Sequence, residues 1–200
     1  MKYTLSVLAL LLATGQAPRL ASAGSGQAPT TRPAPAPATK AAPAKAGPAP
    51  TLVLDTAKGT IEIETFPEDA PKTVQHIVAL MKKNFYNGMR FHRVEENFLV
   101  QVGDPQSRDM SREAWWGRGP GSGSQIGVAE ITKKRRHVPG TVAMAHVGDP
   151  KLADSQFYII IQPRPGLDGK YTIFGQVTSG MDVVKKLKRA DILKKASVKE

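Results

Sequence analysis

The segment Phe91-His-Arg-Val-Glu-Glu-Asn-Phe-Leu-Val-Gln-Val-Gly-Asp-Pro105 constrains the fold more than any other part of this chain, because it sets one cation among apolar neighbours on what reads as paired strands. Strand alternation places Phe91, Arg93 and the Phe98-Leu99 pair near one surface, with Gln101 two residues beyond Leu99. A guanidinium keeps its charge and carries five donors. An Arg on an apolar strand face must therefore be paired or held ready for a ligand. The segment reads as a binding surface.

Two hundred residues with 40% hydrophobic content suffice for one domain with appendages. Residues 1–23 carry Lys2, an apolar run from Leu5 to Ala13 and the small-x-small sequence Ala21-Ser-Ala23, the form of a cleaved secretory signal. The run is too short for a bilayer, which takes about 20 apolar residues. The chain has no Cys, so it has no thiol for a lipid anchor and no disulfides. The mature protein is expected to be exported, in the periplasm rather than the external medium, and free of the membrane once the signal is removed. Residues 24–50 are almost entirely Ala, Pro, Gly, Thr, Ser and Gln with a few cations, a composition that cannot bury a core and reads as a disordered linker. Residues 51–200 are left as the folded domain.

The formal charge of +11 shrinks on that domain: 5 of the 28 cations precede Thr51 and all 17 acids follow it, so 23 minus 17 leaves +6. Lys133-Lys-Arg-Arg136 and Lys185-Lys-Leu-Lys-Arg189 are short runs without interleaved aromatics, and read as solvated faces. No nucleic-acid partner is expected. An adhesin or nucleic-acid binder acting through this basic face would instead show strongly salt-dependent binding to anionic polymers.

Thr51 to Asp55 and Thr60 to Thr65, joined by Ala57-Lys-Gly59, predict a hairpin. Pro71 opens a helix toward Phe85, with Asp69 at its start and Val74, Ile77, Val78 and Met81 at helical spacing. Further strands are expected near 89–94, 97–102, 139–145, 156–161 and 172–177, a long surface loop over 103–127 and a second helix over 180–189. Many short strands with two helices predict a mainly β fold, a closed barrel with helical caps.

Four blocks in order carry a resemblance to the cyclophilin-type peptidyl-prolyl cis-trans isomerases. They are Phe91-His-Arg-Val with Phe98-Leu-Val-Gln-Val-Gly-Asp-Pro105, Gly140-Thr-Val-Ala-Met-Ala145, Ser155-Gln-Phe-Tyr-Ile159 and Leu167-Asp-Gly-Lys-Tyr-Thr-Ile-Phe-Gly175. The likeness spans residues 51 to about 190. It implies a closed eight-stranded antiparallel barrel capped by two helices, with the active groove outside, acting as a monomer on Pro-containing peptides and unfolded exported proteins.

The chemistry follows from the peptide bond. Turning an X-Pro amide breaks its resonance against a barrier of roughly 18 to 20 kcal/mol, so unaided isomerisation takes tens of seconds or more. No nucleophile, metal or cofactor is needed. Stabilising the twisted bond suffices, and Arg93 suits that role because a pyramidal prolyl nitrogen accepts a hydrogen bond. By resemblance, Phe98, Leu99, Tyr158 and Leu167 line an apolar pocket for the proline ring. Gln101 and Gln156 orient Arg93 or the substrate carbonyl, the backbone around Ala145 and His146 bonds the peptide, and Tyr171 closes the rim. The resemblance assigns catalysis to Arg93, Phe98 and Gln101, and substrate binding to the others.

The chain also departs from the family pattern. Leu99 stands where Met is frequent, Tyr158 where Phe is, His146 where Asn is and Tyr171 where His is, exchanges expected to preserve activity. Gly166 replaces the Trp of cyclosporin-sensitive members, which implies weak cyclosporin binding. The alternative function is a non-catalytic chaperone or scaffold that holds Pro-containing segments in the same groove.

Other features read as structural. Arg93 has Glu95 and Glu96 as candidate ion-pair partners. His76, His92, His137 and His146 lack ligand spacing and read as surface or packing residues, so no metal is expected. Asp104, Asp149 and Asp168 neighbour Gly or Pro and suit turn capping, and Ser155 has no apparent His-Asp partner. Trp115 and Trp116 read either as an exposed anchor or as a cover for one end of the barrel.

Overall fold

Thr51–Thr56 (β1) and Gly59–Thr65 (β2) form the expected hairpin, with Leu52 opposite Ile63 and Leu54 opposite Ile61. These four side chains are fully buried and alternate with more exposed ones, which are polar throughout β2 but include Val53 in β1. This computed structural model describes residues 49–199; the secretory signal read at 1–23 and nearly all of the 24–50 linker lie outside the described residues.

Pro71–Lys82 forms α1, three residues shorter than predicted. Asn84 adopts a left-handed φ of 57°, which ends the helix before Phe85. Its apolar stripe of Val74, Ile77, Leu80 and Met81 enters the core. The start also differs from expectation. Asp69 does not cap the helix but pairs with Arg135 at 2.8 Å and Lys134 at 3.6 Å. The open end is met by Glu130, which accepts from the Lys72 N–H at 3.0 Å, the Thr73 N–H at 2.8 Å and the Thr73 hydroxyl at 2.8 Å.

The remaining strands are Arg93–Glu95 (β3), Leu99–Val102 (β4), Thr141–Met144 (β5), Phe157–Ile160 (β6), Ile173–Ser179 (β7) and Leu193–Lys199 (β8), with Met181–Lys186 as α2. The first of these is shorter than the alternation predicted, because Met89 and Phe91 belong to the buried chain leading into it. Phe91 thus lies in the inner core, whereas Arg93, Phe98, Leu99 and Gln101 share the outer surface.

The eighth strand had no counterpart in the sequence reading. Its two buried positions, Leu193 and Ala196, are three residues apart and break the two-residue period. The cause is a register shift against β1: Thr56 pairs with Leu193 but Asp55 pairs with Lys195, so one residue bulges out.

All pairings are antiparallel in a single curled eight-stranded sheet of order β3-β4-β6-β5-β7-β2-β1-β8, a half-barrel. Closure was expected through strand pairing; among the described residues no ladder joins β3 to β8. An isolated bridge between Arg90 and Ile192 links the chain just before each of these edges. Both edge strands enter from irregular segments, so the ladder stops short of them.

Every residue of β4, β5 and β6 is buried, which means that both faces of the sheet are covered there. Val100, Val102, Val142, Met144, Phe157 and Ile159 face the inner core. Leu99, Ala143, Tyr158, Ile160 and Ile173 form a second apolar cluster on the other face, joined by Phe66, Phe98, Ala145, Leu167 and Tyr171. Six of the candidate site residues, Phe98, Leu99, Ala145, Tyr158, Leu167 and Tyr171, belong to that outer cluster or pack against it. Among the described residues no helix is long and apolar enough to cross a membrane.

Candidate active site

Strand register puts one residue from each of five neighbouring strands into a transverse row. Arg93 on β3 faces Gln101 on β4, which faces Tyr158 on β6, which faces Ala143 on β5, which faces Ile173 on β7. Such a row leads from a cation through an amide to an apolar floor within the width of a short peptide, at about 4.8 Å per strand. A cavity of about 780 Å³ lies over it.

All ten residues named from the sequence as site candidates line this cavity: Arg93, Phe98, Leu99, Gln101, Ala145, His146, Gln156, Tyr158, Leu167 and Tyr171. At its polar end the Arg93 Nε donates to Glu95 Oε1 at 2.7 Å, and Nη2 lies 2.6 Å from the same oxygen. Arg93 Nη1 donates to Gln101 Oε1 at 3.4 Å. Gln101 Nε2 donates to Gln156 Oε1 at 2.9 Å, and Gln156 Nε2 to the Gly117 carbonyl at 3.2 Å. This chain of amides fixes which end of each Gln faces Arg93. Arg93 and Glu95 are about half exposed, so their ion pair is a weak, water-screened one.

The apolar end is built from aromatic rings. Arg93 and Arg164 lie over Phe98, with Cζ at 5.8 and 4.7 Å from its centroid. Tyr158 and Tyr171 meet edge to face at 5.7 Å. Burial, helped by nearby Tyr171 and opposed by Arg93, raises the Tyr158 phenol pKa well above its ordinary value, so the hydroxyl keeps its proton. His146 packs on Tyr171 at 4.6 Å, and its Nε2 donates to the Lys170 carbonyl at 3.2 Å. The Ala145 N–H donates to the Gln156 carbonyl at 2.8 Å. Of the backbone groups expected to hold a peptide, this one is already taken; the Ala145 carbonyl and the His146 N–H have no hydrogen bond among the described residues.

The far wall is the 103–127 segment, predicted as a plain surface loop. It contains two 3-10 turns, Pro105–Arg108 and Met110–Trp115, whose first amides bond to Asp104 and Asp109. Asp104 is fully buried and also accepts from the Gly117 N–H at 2.5 Å and the Gly119 N–H at 3.3 Å, which folds the loop over the cavity. A Cβ at Gly119 would stand 2.1 Å from the Asp104 carboxylate, so this position has room only for glycine. The two tryptophans divide: Trp116 is buried and donates from Nε1 to the Gln106 and Asp109 carbonyls at 3.1 Å, whereas Trp115 is exposed.

The other cavity-lining residues were not among the site candidates read from the sequence; they include His92, Trp116, the 117–121 stretch of the far wall and the exposed pair Val147 and Leu152. His92 is buried, and neither ring nitrogen has a hydrogen-bond partner among the described residues. Burial pushes its pKa down from 6.5 to about 4; Asp104 and Gln156 oppose this, and Arg189 and Arg93 reinforce it. Its position directly before Arg93 was the available signal. Asp104 and Asp149 cap their own turns as foreseen, whereas Asp168 instead accepts from the backbone N–H of His137, 31 positions away. Ser155 is buried and donates to the Gly103 carbonyl at 2.7 Å. No group of three or more potential metal ligands occurs among the described residues.

Residues 51–200 match the family described as cyclophilin-type peptidyl-prolyl cis-trans isomerase. The chain belongs to this family. It is a cyclophilin and a peptidyl-prolyl cis-trans isomerase. The isomerase CYP18-2 of Arabidopsis thaliana is 37% identical over 142 residues, covering 70% of this chain and 82% of the relative. A probable peptidyl-prolyl cis-trans isomerase of Brucella abortus is 37% identical over 155 residues, covering 77% of this chain and 79% of the relative. In the mouse peptidylprolyl isomerase domain and WD repeat-containing protein 1, at 36% identity over 142 residues, the match spans only 21% of that longer protein. The fold is that of the Cryptosporidium parvum cyclophilin crystallised in the presence of the dipeptide Ala-Pro, with a TM-score of 0.65 and 24% identity over 75% of this chain and 99% of that one. A Hirschia baltica cyclophilin superposes with a TM-score of 0.59 and 25% identity over 75% of this chain and 74% of that one.

Proposed function

We propose that this cyclophilin isomerises X-Pro bonds in unfolded exported proteins, acting as a periplasmic monomer released from its signal, with Arg93 as the catalytic cation. The observation that carries the site assignment is the transverse row, in which Arg93 Nη1 and Gln101 stand beside an apolar pocket of Phe98, Leu99, Tyr158 and Leu167. The proline ring lies in that pocket and is held still while the preceding carbonyl turns. The Ala145 carbonyl and the His146 N–H bond the peptide backbone.

As the amide twists, the prolyl nitrogen becomes pyramidal and accepts from Arg93. A charge-assisted hydrogen bond contributes about 1.5 to 3 kcal/mol, or one to two powers of ten in rate. Arg93 therefore supplies part of the acceleration. The rest comes from holding one end of the bond and from excluding water around the row, which strengthens each polar contact. Cyclosporin binds weakly, because Gly166 offers no side chain at the pocket edge.

A protease-coupled assay on a short Ala-Pro peptide at low temperature tests this reading. Fast isomerisation that falls at least tenfold in Arg93→Ala supports it. A folded wild-type protein that leaves the uncatalysed rate unchanged sinks it, in favour of a Pro-segment-binding chaperone. The export part is tested separately, by fractionating cells that make the full chain and sequencing the N-terminus of the product.

A further inference from the structure

Behind the pocket floor sits a fully buried imidazole that does not line the cavity. His137 has no side-chain exposure. Asp168 Oδ1 accepts from its backbone N–H at 2.8 Å and lies 3.0 Å from its Nδ1. A carboxylate only accepts, so Nδ1 carries the hydrogen. Burial alone would raise the Asp168 pKa, but the bonds from His137 and from Arg136 at 3.2 Å outweigh it and keep the group ionised. In the neutral ring Nε2 is then a bare acceptor, 3.0 Å from the Tyr158 hydroxyl, which donates to it.

The same ring stacks on Tyr158 at 6.1 Å and 17° and meets Tyr171 edge-on at 6.2 Å and 80°. Its backbone carbonyl accepts from the Arg164 N–H at 2.8 Å, at the start of the 3-10 turn that carries Leu167. Tyr158 on β6, Leu167 in the turn beside Asp168, and Tyr171 are pocket residues from separate stretches of chain. All three are located by reference to one residue, Tyr158 and Tyr171 by its ring and the Leu167 turn by its ring and backbone together.

We infer that His137 is a positioning residue for isomerisation: it holds Tyr158 by the hydroxyl and the Leu167-Asp168 turn by the carboxylate, and so sets the width of the pocket that grips the proline ring. The inference rests on the reading of that pocket as the X-Pro site. A phenylalanine floor would need no such partner, whereas a buried tyrosine hydroxyl must have one. The polar link thus gives a definite place to a ring that apolar packing alone would let slide.

The experiment is a double-mutant cycle of His137→Leu and Tyr158→Phe, with His137→Gln as the conservative variant, because its side-chain oxygen can stand near the Nε2 position. Turnover and affinity for an Ala-Pro peptide are separated by NMR exchange at increasing peptide concentration. His137→Leu should lower kcat/KM about three- to tenfold, chiefly through weaker peptide binding. Tyr158→Phe should do much of the same, the double variant should lose less than the product of the two single losses, and His137→Gln should recover most of the activity. If His137→Leu does not fold, the Tyr158→Phe and His137→Gln arms decide: an unchanged kcat/KM in Tyr158→Phe overturns the inference. So do fully independent effects, or a lowered Tm with unaltered turnover and affinity, which would make His137 merely structural. A wild-type protein that neither turns over the peptide nor shows pocket resonances shifting with it defeats the pocket reading itself, a separate result.

Discussion

Glu95 holds Arg93 from the solvent side while Gln101, directly opposite across the β3–β4 ladder, holds it from the pocket side. The two contacts differ in worth. An ion pair half open to water contributes about 0.2 to 1 kcal/mol, so Glu95→Gln should change kcat/KM by less than about fivefold. Arg93→Ala should lower it at least tenfold. Arg93→Lys should recover little, since an ammonium lacks the planar fork that reaches Gln101 and a substrate together. Rates for the three variants on one Ala-Pro peptide check the order; a Glu95→Gln loss as large as that of Arg93→Ala would mean that the ion pair, and not the cation alone, is the working unit.

His92 makes stability fall in mild acid. Its pKa is depressed from 6.5 to about 4 in the folded protein, so the unfolded chain binds the proton first as pH falls. The contribution is complete above pH 6.5, declines between 6.5 and 4, and is flat below that. Between pH 7 and pH 5 this linkage amounts to about 2 kcal/mol. Urea unfolding at the two pH values should show that loss in the wild type and a loss smaller by a similar amount in His92→Gln. Equal losses in both proteins would remove His92 as the cause.

What could be read from the sequence follows from how regular each element is. In the β1–β2 hairpin a Gly-containing turn leads into a strictly alternating β2, and the row of Arg93 with Gln101 and Tyr158 lies in blocks whose resemblance places them together. Strand β8 was not legible, because its bulge against β1 sets Leu193 and Ala196 out of phase. Nor was the capping of α1 by Glu130, a contact between residues 57 and 58 positions apart. His137 escaped for the same reason: neither Tyr158 nor Asp168 is near it in the chain, and only the fold brings a hydroxyl to one nitrogen and a carboxylate to the other. The 103–127 segment reads as a plain surface loop because its order comes from the carboxylates of Asp104, Asp109 and Asp154, and not from a period of apolar residues.

Glu130 is expected to matter for stability alone. It satisfies two amides at the open start of α1 and brings a negative charge to that end, where Ala70 offers no side-chain bond. Glu130→Ala should cost about 1 to 2 kcal/mol, by analogy with loss of an N-cap. It should leave kcat/KM within twofold, because Glu130 does not line the cavity. Thermal melting beside the peptide assay tests both halves; an unchanged Tm would show that water replaces the carboxylate without penalty.

Gly166 can take a large side chain. It is exposed, its φ lies outside the left-handed range, and a Cβ built there meets nothing within 4 Å, so substitution carries neither strain nor a clash at its root. Its neighbour Leu167 lines the pocket, which puts a residue at 166 on the edge where an indole could lie over a bound ligand and donate from its N–H. Gly166→Trp should therefore bind cyclosporin at least tenfold more tightly than the wild type, with kcat/KM on Ala-Pro peptides changed by less than about threefold. Titration of cyclosporin against isomerase activity measures both. Equal inhibition of the two proteins would mean that the weak binding expected here has another origin, of which the 103–127 wall is the first to examine.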